Sequence, residues 1–183
     1  GYNDPDASFT GPGRTPWNTD FWSGGSSSGP GAAVAAGLVP FAIGSETSGS
    51  ILTPSAYSGV TGLRPTYGLV SRHGAMALSW TLDKLGPMGR TADDCALVLA
   101  AIAGPDASDP TASERGFAWS GPAPSSRPLR VMVPKGCVEK VQPAVRENFE
   151  RSLATLGAAV QVTRDVEWPD LPWGPAVGAI VTA

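Results

Sequence analysis

The sequence predicts an α/β fold, and two stretches carry most of that prediction. In one, Leu129 to Val133 is a predicted strand, residues 142–156 have the apolar spacing of an amphipathic helix, and Ala158 to Thr163 is a second strand. A strand, a helix and a strand in this order indicate a parallel crossover within one sheet. In the other, an alanine-rich helical run that ends at Gly37 leads into a short apolar strand, Leu38 to Ile43.

The elements of the first third follow from their turn and capping residues. Residues 1–20 are rich in Gly, Pro, Asn and Asp, which predicts a loop. Ser27 or Ser28 is placed to cap the alanine-rich helix, because Pro30 then falls in the first helical turn, where its missing N–H costs nothing. Ile51 to Ser58 is a predicted short helix.

Further along the chain, glycine and proline again set the boundaries. Residues 59–71 are interrupted by glycine and proline, and we expect a loop with a short strand. Thr91 to Asp94 has the form of a capping box, which predicts a helix that ends before Gly104. Cys95 falls within this helix and is expected to be a buried small hydrophobe. Residues 105–128 are rich in Pro, Ser, Asp and Ala and predict a long internal loop.

Composition excludes several classes of function. The 183 residues are enough for one substantial core, and we treat residues 1–183 as a single, partial domain. The formal net charge is −3 and the 13 Lys and Arg residues are spread along the chain, so nucleic acid is not an expected partner. No run of 18 apolar residues predicts a membrane span. Two cysteines do not make a disulfide framework.

Two Gly/Ser clusters on rigid flanks predict a preorganised hydrolytic site, since glycine leaves backbone N–H groups uncovered and serine supplies hydroxyl nucleophiles. The clusters are Ser23 to Gly29 and Gly44 to Ile51. Together with Gly59 to Gly68 and Ser79 to Pro87, they resemble the amidase signature family, and the resemblance covers roughly residues 10–110. Each segment alone is a weak signal, but the joint pattern in fixed order is specific.

The resemblance implies a fold, an activity and a site. The fold would be part of an α/β/α sandwich with a mixed central sheet. The activity would be hydrolysis of a small-molecule carboxamide to a carboxylate and ammonia or an amine, through a serine acyl-enzyme and without metal or cofactor. Ser50 would be the nucleophile and Ser26, in a cis peptide, the bridging serine. The oxyanion hole would be formed by the backbone N–H groups of Thr47, Ser48, Gly49 and Ser50.

The chain also departs from the family pattern. The family's catalytic lysine lies far upstream of the bridging serine, and Lys84 stands in a segment where the family residue varies. We therefore expect this chain to be an internal piece of a longer enzyme that lacks efficient catalysis by itself. Glu46 replaces the commoner Asp and is expected to keep its structural role. Leu52, where many members have Arg, favours a neutral or apolar acyl group. His73 lies in a polar loop and is not expected to be catalytic, and Trp80 is expected to pack. Asp83 is expected to be structural and to fix a loop.

Alternatives remain open at this point. The chain could belong to the glutaminase subunit of a tRNA-dependent amidotransferase, with an ammonia channel and a second protein as its partner, although Leu52 favours a stand-alone amidase. It could be a non-catalytic, truncated remnant. It could also be an anion-binding module, because a Gly/Ser-rich turn before a helix can hold phosphate; the phosphate-loop motif with its lysine is absent. A homodimer is left open, and the cytoplasm is the expected location.

Overall fold

A computed structural model describes residues 8–121, 129–167 and 169. They belong to two compact units, Gly1–Gly121 and Pro122–Ala183. The first unit contains strands β1 (Arg14–Thr15), β2 (Asn18–Trp22), β3 (Phe41–Glu46), β4 (Thr61–Gly62) and β5 (Lys84–Gly89), with helices α1 (Ser28–Ala35), α2 (Leu52–Ser58) and α3 (Ala92–Ile102). The second contains β6 (Arg130–Pro134), α4 (Pro143–Gly157) and β7 (Gln161–Val166).

The main sheet of the first unit has three strands in the order β3, β5, β4, and both pairings are antiparallel. Strand β3 pairs with β5 from Phe41 opposite Gly89 to Glu46 opposite Lys84. Side chains of directly opposed residues lie close together in an antiparallel pair. This register therefore brings Lys84 next to the start of the loop that contains Ser50.

The core of the first unit lies between this sheet and its helices. Val34 of α1, Ile51 before α2 and Met88 of β5 have no exposed surface. Cys95 of α3 is equally buried, as expected, and burial raises the pKa of its thiol. The two serine loops are attached to this core, because α1 and α2 begin where those loops end.

The second unit confirms the predicted crossover. Strands β6 and β7 are parallel, with Arg130 opposite Gln161, and α4 connects them. Val133 and Leu153 are its buried apolar residues among those described. The α/β fold class is therefore confirmed, with helices, an antiparallel sheet and a parallel strand pair in one chain.

Two sequence expectations were wrong in placement. Residues 1–20 were predicted as loop, but β1 and the first part of β2 lie within them and form an antiparallel hairpin. The strand predicted at Leu38 to Ile43 begins instead at Phe41. The reason is the end of α1: Gly37 adopts a φ of 72°, and the N–H of Leu38 donates to the carbonyl of Ala33 at 3.0 Å. This capping arrangement uses Leu38 to close the helix and leaves its side chain 78% exposed.

Strand β5 was not predicted, because it contains two glycines and a proline. The packing explains the first glycine. A Cβ at Gly86 would lie 2.3 Å from the carbonyl oxygen of Leu63, so only glycine allows the two backbones to approach. Pro87 cannot donate a hydrogen bond, but its carbonyl accepts one from the N–H of Leu63 at 2.9 Å.

The capping box at Thr91 is confirmed: its hydroxyl accepts from the N–H of Asp94 at 3.1 Å, and Asp94 accepts from the N–H of Thr91 at 3.0 Å.

After α3, residues 105–121 contain no helix or strand, in keeping with a loop; residues 122–128 of the predicted loop lie outside the described residues. Asp109 ties this segment to the loop between β4 and β5 by accepting from the N–H of Arg72 at 2.7 Å. The hydrogen bonds of Thr111 and Arg72 hold the pKa of Asp109 at about 2.

Replacing Gly24 by alanine is expected to destabilise the first unit by roughly 2–5 kcal/mol. Gly24 has a φ of 79°, and a Cβ there would lie 2.8 Å from Cα of Pro54 in α2. Denaturant unfolding would measure the effect. Gly29→Ala is the matched control, since nothing lies within 4 Å of a Cβ at that helical position. Equal stability of the two variants would contradict the packing explanation.

Candidate active site

The two serine loops meet through Ser27. Its N–H donates to the carbonyl of Ser50 at 3.1 Å. Its hydroxyl donates to the carbonyl of Ser45 at 3.2 Å and accepts from the N–H of the same residue at 3.1 Å. Ser27 is the residue that precedes α1, but its side chain does not cap the helix. The N-cap position predicted for Ser27 is therefore confirmed, but its hydroxyl makes no capping hydrogen bond and instead joins the first loop to β3.

Ser26 and Ser50 have different surroundings. The Gly25–Ser26 peptide bond is cis, and Ser26 is exposed at the edge of a cavity of about 380 Å³. Ser50 is 7% exposed and lies in the turn between β3 and α2. Ser27, which follows Ser26, is bonded to the backbone of Ser50, so the structure brings the predicted bridging serine and the predicted nucleophile into one neighbourhood.

The backbone around Ser50 presents several N–H groups. Within residues 8–121, no backbone carbonyl accepts a hydrogen bond from the N–H of the four positions predicted as oxyanion donors, Thr47, Ser48, Gly49 and Ser50. Gly49 has a φ of 118°, in the region that favours glycine, and its carbonyl accepts from the N–H of Thr53 at 2.7 Å. The carbonyl of Gly49 is therefore used by the first turn of α2, while the N–H groups of residues 47–50 stay available to a ligand.

The buried carboxylate of Glu46 holds the turn that contains Ser50. It is 1% exposed, and its Oε2 accepts from the N–H groups of Ile51 at 2.8 Å and Leu52 at 3.0 Å. Its Oε1 lies 3.4 Å from Nη1 of Arg64. The carboxylate thus joins the strand before the Ser50 turn to the helix after it, in keeping with the structural role expected for this residue.

Asp83 and Lys84 hold the other end of the turn, at Thr47. Oδ1 of Asp83 accepts from the hydroxyl of Thr47 at 2.5 Å, and Nζ of Lys84 donates to the carbonyl of Thr47 at 3.1 Å. Oδ2 of Asp83 also accepts from the N–H groups of Leu78 and Ser79 at 2.7 and 2.9 Å. Asp83 therefore connects the Ser50 turn to the loop that forms the far wall of the cavity.

Both side chains have shifted pKa values. Burial would raise the pKa of Asp83, but the hydrogen bonds from Thr47, Leu78 and Ser79 outweigh it and hold the pKa below its usual value. Burial lowers the pKa of Lys84, and the positive charge of Arg64 lowers it further, against the opposing effect of the Glu46 and Asp83 carboxylates.

The cavity beside Ser26 has a mainly apolar lining, with contributions from α1, β3, β5 and the loop before β5. The lining residues are Ser26, Ser27, Pro30, Ile43, Gly44, Ser45, Arg72, Ala75, Met76, Ala77, Trp80, Asp83 and Leu85. Trp80, which was expected to pack, is 64% exposed and does not lie in the buried core. Its ring instead faces the guanidinium of Arg72, with Cζ 5.2 Å from the ring centre.

Arg72 is the cation of this wall; both of its Nη atoms are hydrogen-bonded within the fold, whereas its buried Nε has no hydrogen-bond partner among the described residues. Nη1 donates to the carbonyl of Trp80 at 2.6 Å, while Nη2 donates to the hydroxyls of Tyr67 at 2.8 Å and Thr111 at 2.7 Å. Nε lies 3.9 Å from Oδ2 of Asp109. The charge of Arg72 is thus matched by an acidic partner of the same unit.

The chain belongs to the amidase family, whose model, described as Amidase, matches residues 4–181. A glutamyl-tRNA(Gln) amidotransferase subunit of Chromohalobacter salexigens is 48% identical over 160 residues, which are 84% of this chain and 33% of that protein. The chain therefore spans about a third of the length of this curated relative.

Solved structures agree with this assignment. The crystal structure of a glutamyl-tRNA(Gln) amidotransferase subunit from Thermotoga maritima superposes with a TM-score of 0.81 at 35% identity, over 92% of this chain and 38% of that one. Native peptide amidase from Stenotrophomonas maltophilia superposes with a TM-score of 0.75 at 34% identity, over 93% of this chain and 36% of that one. The fold is therefore that of amidase-signature enzymes.

Sequence reasoning missed the roles of four residues of this site. Asp83 was expected to fix a loop, and its hydrogen bonds bear that out, but its contact with the Ser50 turn was not foreseen. No neighbouring sequence pattern indicated the roles of Lys84, Arg72 and Trp80. The role of Lys84 depends on the pairing of β5, and those of Arg72 and Trp80 depend on the fold of the loop before β5. His73, not expected to be catalytic, is exposed.

Neither a membrane-spanning helix nor a metal cluster is found in the part of the chain that the structure describes. No helix there has the length and apolar composition that crossing a membrane requires. In the same residues, no group of three or more His, Cys, Asp or Glu side chains is placed to hold a metal ion.

Proposed function

We propose that this chain forms part of an amidohydrolase that cleaves a carboxamide C–N bond through a Ser50 acyl-enzyme. The observation that carries the proposal is the 3.1 Å hydrogen bond from Ser27 to the carbonyl of Ser50, which joins the two serine loops. The available N–H groups around Ser50 supply what a tetrahedral oxyanion needs. Because the chain spans about a third of the curated relative's length, the activity of the whole protein is a proposal.

In the proposed reaction, Oγ of Ser50 attacks the amide carbon, and its proton passes through the hydroxyl of Ser26 to a neutral lysine, the base that the family resemblance places upstream of Ser26 in a longer protein. The carbonyl oxygen becomes an oxyanion that accepts hydrogen bonds from the N–H groups of residues 47–50. Collapse of this intermediate breaks the C–N bond, and the relay returns a proton to the departing nitrogen. Water then attacks the acyl ester to release the carboxylate. Lys84 is not assigned as the base of this relay, because within residues 8–121 its Nζ bonds to the carbonyl of Thr47 and makes no hydrogen bond to Ser26 or Ser50.

The lining of the cavity favours a neutral substrate with an apolar acyl group. Ile43, Met76, Trp80 and Leu85 contribute apolar surface near Ser26. Arg72 carries the positive charge of this wall, and Asp109 balances it, so a substrate carboxylate would gain little there. Leu52, half-exposed after the Ser50 turn, adds no charge either. A cytoplasmic location and a homodimer stay predictions.

A second candidate is the glutaminase subunit of a tRNA-dependent amidotransferase. It is favoured by the curated relative and the Thermotoga maritima structure, both of which are subunits of a glutamyl-tRNA(Gln) amidotransferase. In this case the substrate would be glutamine, the ammonia would pass to a second active site, and a second protein would be required as partner. Glutamine carries two charged groups, and Arg72, the cation among the described residues that line the cavity, is already paired with Asp109.

Ammonia release from a panel of carboxamides tests these candidates. The protein expressed from the complete reading frame should hydrolyse neutral amides with aliphatic or aromatic acyl groups faster than glutamine. Faster release from glutamine would favour the amidotransferase. Absence of hydrolysis for the whole panel, in a correctly folded protein, would reject the proposed function and favour a non-catalytic remnant.

A further inference from the structure

Lys84 is the single lysine of residues 1–121, and its side chain ends at the turn proposed to bind the oxyanion. Nζ donates to the carbonyl of Thr47 at 3.1 Å. The neighbouring carboxylates of Glu46 and Asp83 favour the charged ammonium, while burial and Arg64 oppose it and lower the pKa of Lys84. The Lys84 ammonium, bonded to the carbonyl of Thr47, has no part in the proposed proton relay.

The carbonyl of Thr47 and the N–H of Ser48 belong to one peptide unit. This peptide bond is trans, so the two groups point in opposite directions and the position of one fixes the position of the other. A cation on the carbonyl also polarises the unit, which makes its N–H a stronger donor. Asp83 holds the Thr47 hydroxyl at the same time, so Thr47 is held at two points, its side chain and its carbonyl.

We propose that Lys84 is a positioning residue for amide hydrolysis, which aims and polarises the N–H of Ser48 toward the developing oxyanion. The inference rests on the proposed function, because it requires the Ser50 turn to bind an oxyanion. A preorganised donor contributes most when charge develops on the substrate oxygen. Lys84 therefore acts on the transition state more than on substrate binding.

The test compares Lys84→Met with Lys84→Arg in protein expressed from the complete reading frame. Lys84→Met keeps the length and apolar stem of the side chain but removes the cation. It should lower kcat by about 10-fold to 100-fold and change KM by less than about 2-fold. The loss is smaller than the fall of about 10²–10³ in kcat when an oxyanion donor is removed entirely, because the N–H of Ser48 is still present. Lys84→Arg keeps a cation and donors, and should recover most of kcat.

Two controls separate positioning from stability. Lys135→Met removes a lysine of the second unit whose exposed side chain pairs with Glu167, and should leave kcat unchanged. Thermal unfolding of each variant is measured in parallel. An unchanged kcat in Lys84→Met would overturn the inference. A fall in kcat that follows Tm, and that Lys84→Arg does not recover, would also overturn it.

Failure of the proposed function and failure of the inference about Lys84 give different experimental results. If the wild-type protein has no amide hydrolysis, or if hydrolysis survives in Ser50→Ala, the proposed function is overturned and the role of Lys84 falls with it. If hydrolysis requires Ser50 but does not respond to Lys84→Met, the role of Lys84 alone is overturned.

Discussion

Replacing Ser50 by alanine is expected to lower kcat/KM for amide hydrolysis by about 10⁴-fold to 10⁶-fold, as loss of a catalytic nucleophile does in serine hydrolases. The substitution removes the attacking oxygen but leaves the backbone N–H groups of the turn in place. The hydrogen bonds of Glu46 to Ile51 and Leu52 do not involve the Ser50 side chain, so the fold should persist. Steady-state hydrolysis of a neutral carboxamide measures the loss.

The acyl-enzyme gives a second measurement of the same prediction. Mass spectrometry of wild-type protein, quenched during turnover of an activated ester or amide, should find the acyl group on the peptide that contains Ser50. Ser120→Ala is a suitable control, because Ser120 is exposed and lies far along the chain from either serine loop. Retention of activity in Ser50→Ala, or acylation at another residue, would contradict the assignment of the nucleophile.

Replacing Glu46 by alanine is expected to give the largest loss of stability, about 3–5 kcal/mol. The substitution leaves two N–H groups, of Ile51 and Leu52, without their acceptor and leaves a cavity under the Ser50 turn. Arg64 contributes less, because its side chain is 49% exposed and water screens its charge. Denaturant unfolding measures the difference in the free energy of unfolding.

Glu46→Gln separates the hydrogen bonds from the charge. Glutamine keeps one acceptor oxygen for the N–H groups of the turn, and should therefore lose less stability than alanine. Glu114→Ala, at an exposed position of the same unit, is the control and should be nearly neutral. If Glu46→Ala were as stable as this control, the carboxylate would not support the turn in the way described.

Features that depend on local sequence were predicted best. The Gly/Ser clusters, the capping box at Thr91 and the amphipathic α4 are each set by neighbouring residues, and the structure places each close to where the sequence does. The strand–helix–strand of the second unit was also predicted, because a crossover connection leaves few alternatives. The catalytic roles of Ser26 and Ser50 remain predictions, which the proximity of their loops supports.

Features that depend on strand pairing could not be predicted. Strand β5 has the composition of a turn, and its extended form becomes favourable only when β3 and β4 pair with it on both sides. The contacts of Lys84 and Asp83 with Thr47 follow from that pairing. The start of β3 was misplaced for a related reason, since the apolar Leu38 closes α1 through its backbone.

The anchoring of Thr47 also links catalysis to the cooperativity of folding. The residues that hold it lie 36 and 37 positions later in the chain, on or beside a strand that has little tendency to extend alone. A partly folded state could contain both serine loops and both adjoining helices, yet would lack an ordered oxyanion turn until the sheet closes. Hydrolytic activity should therefore report the long-range pairing of the sheet more faithfully than helix content does.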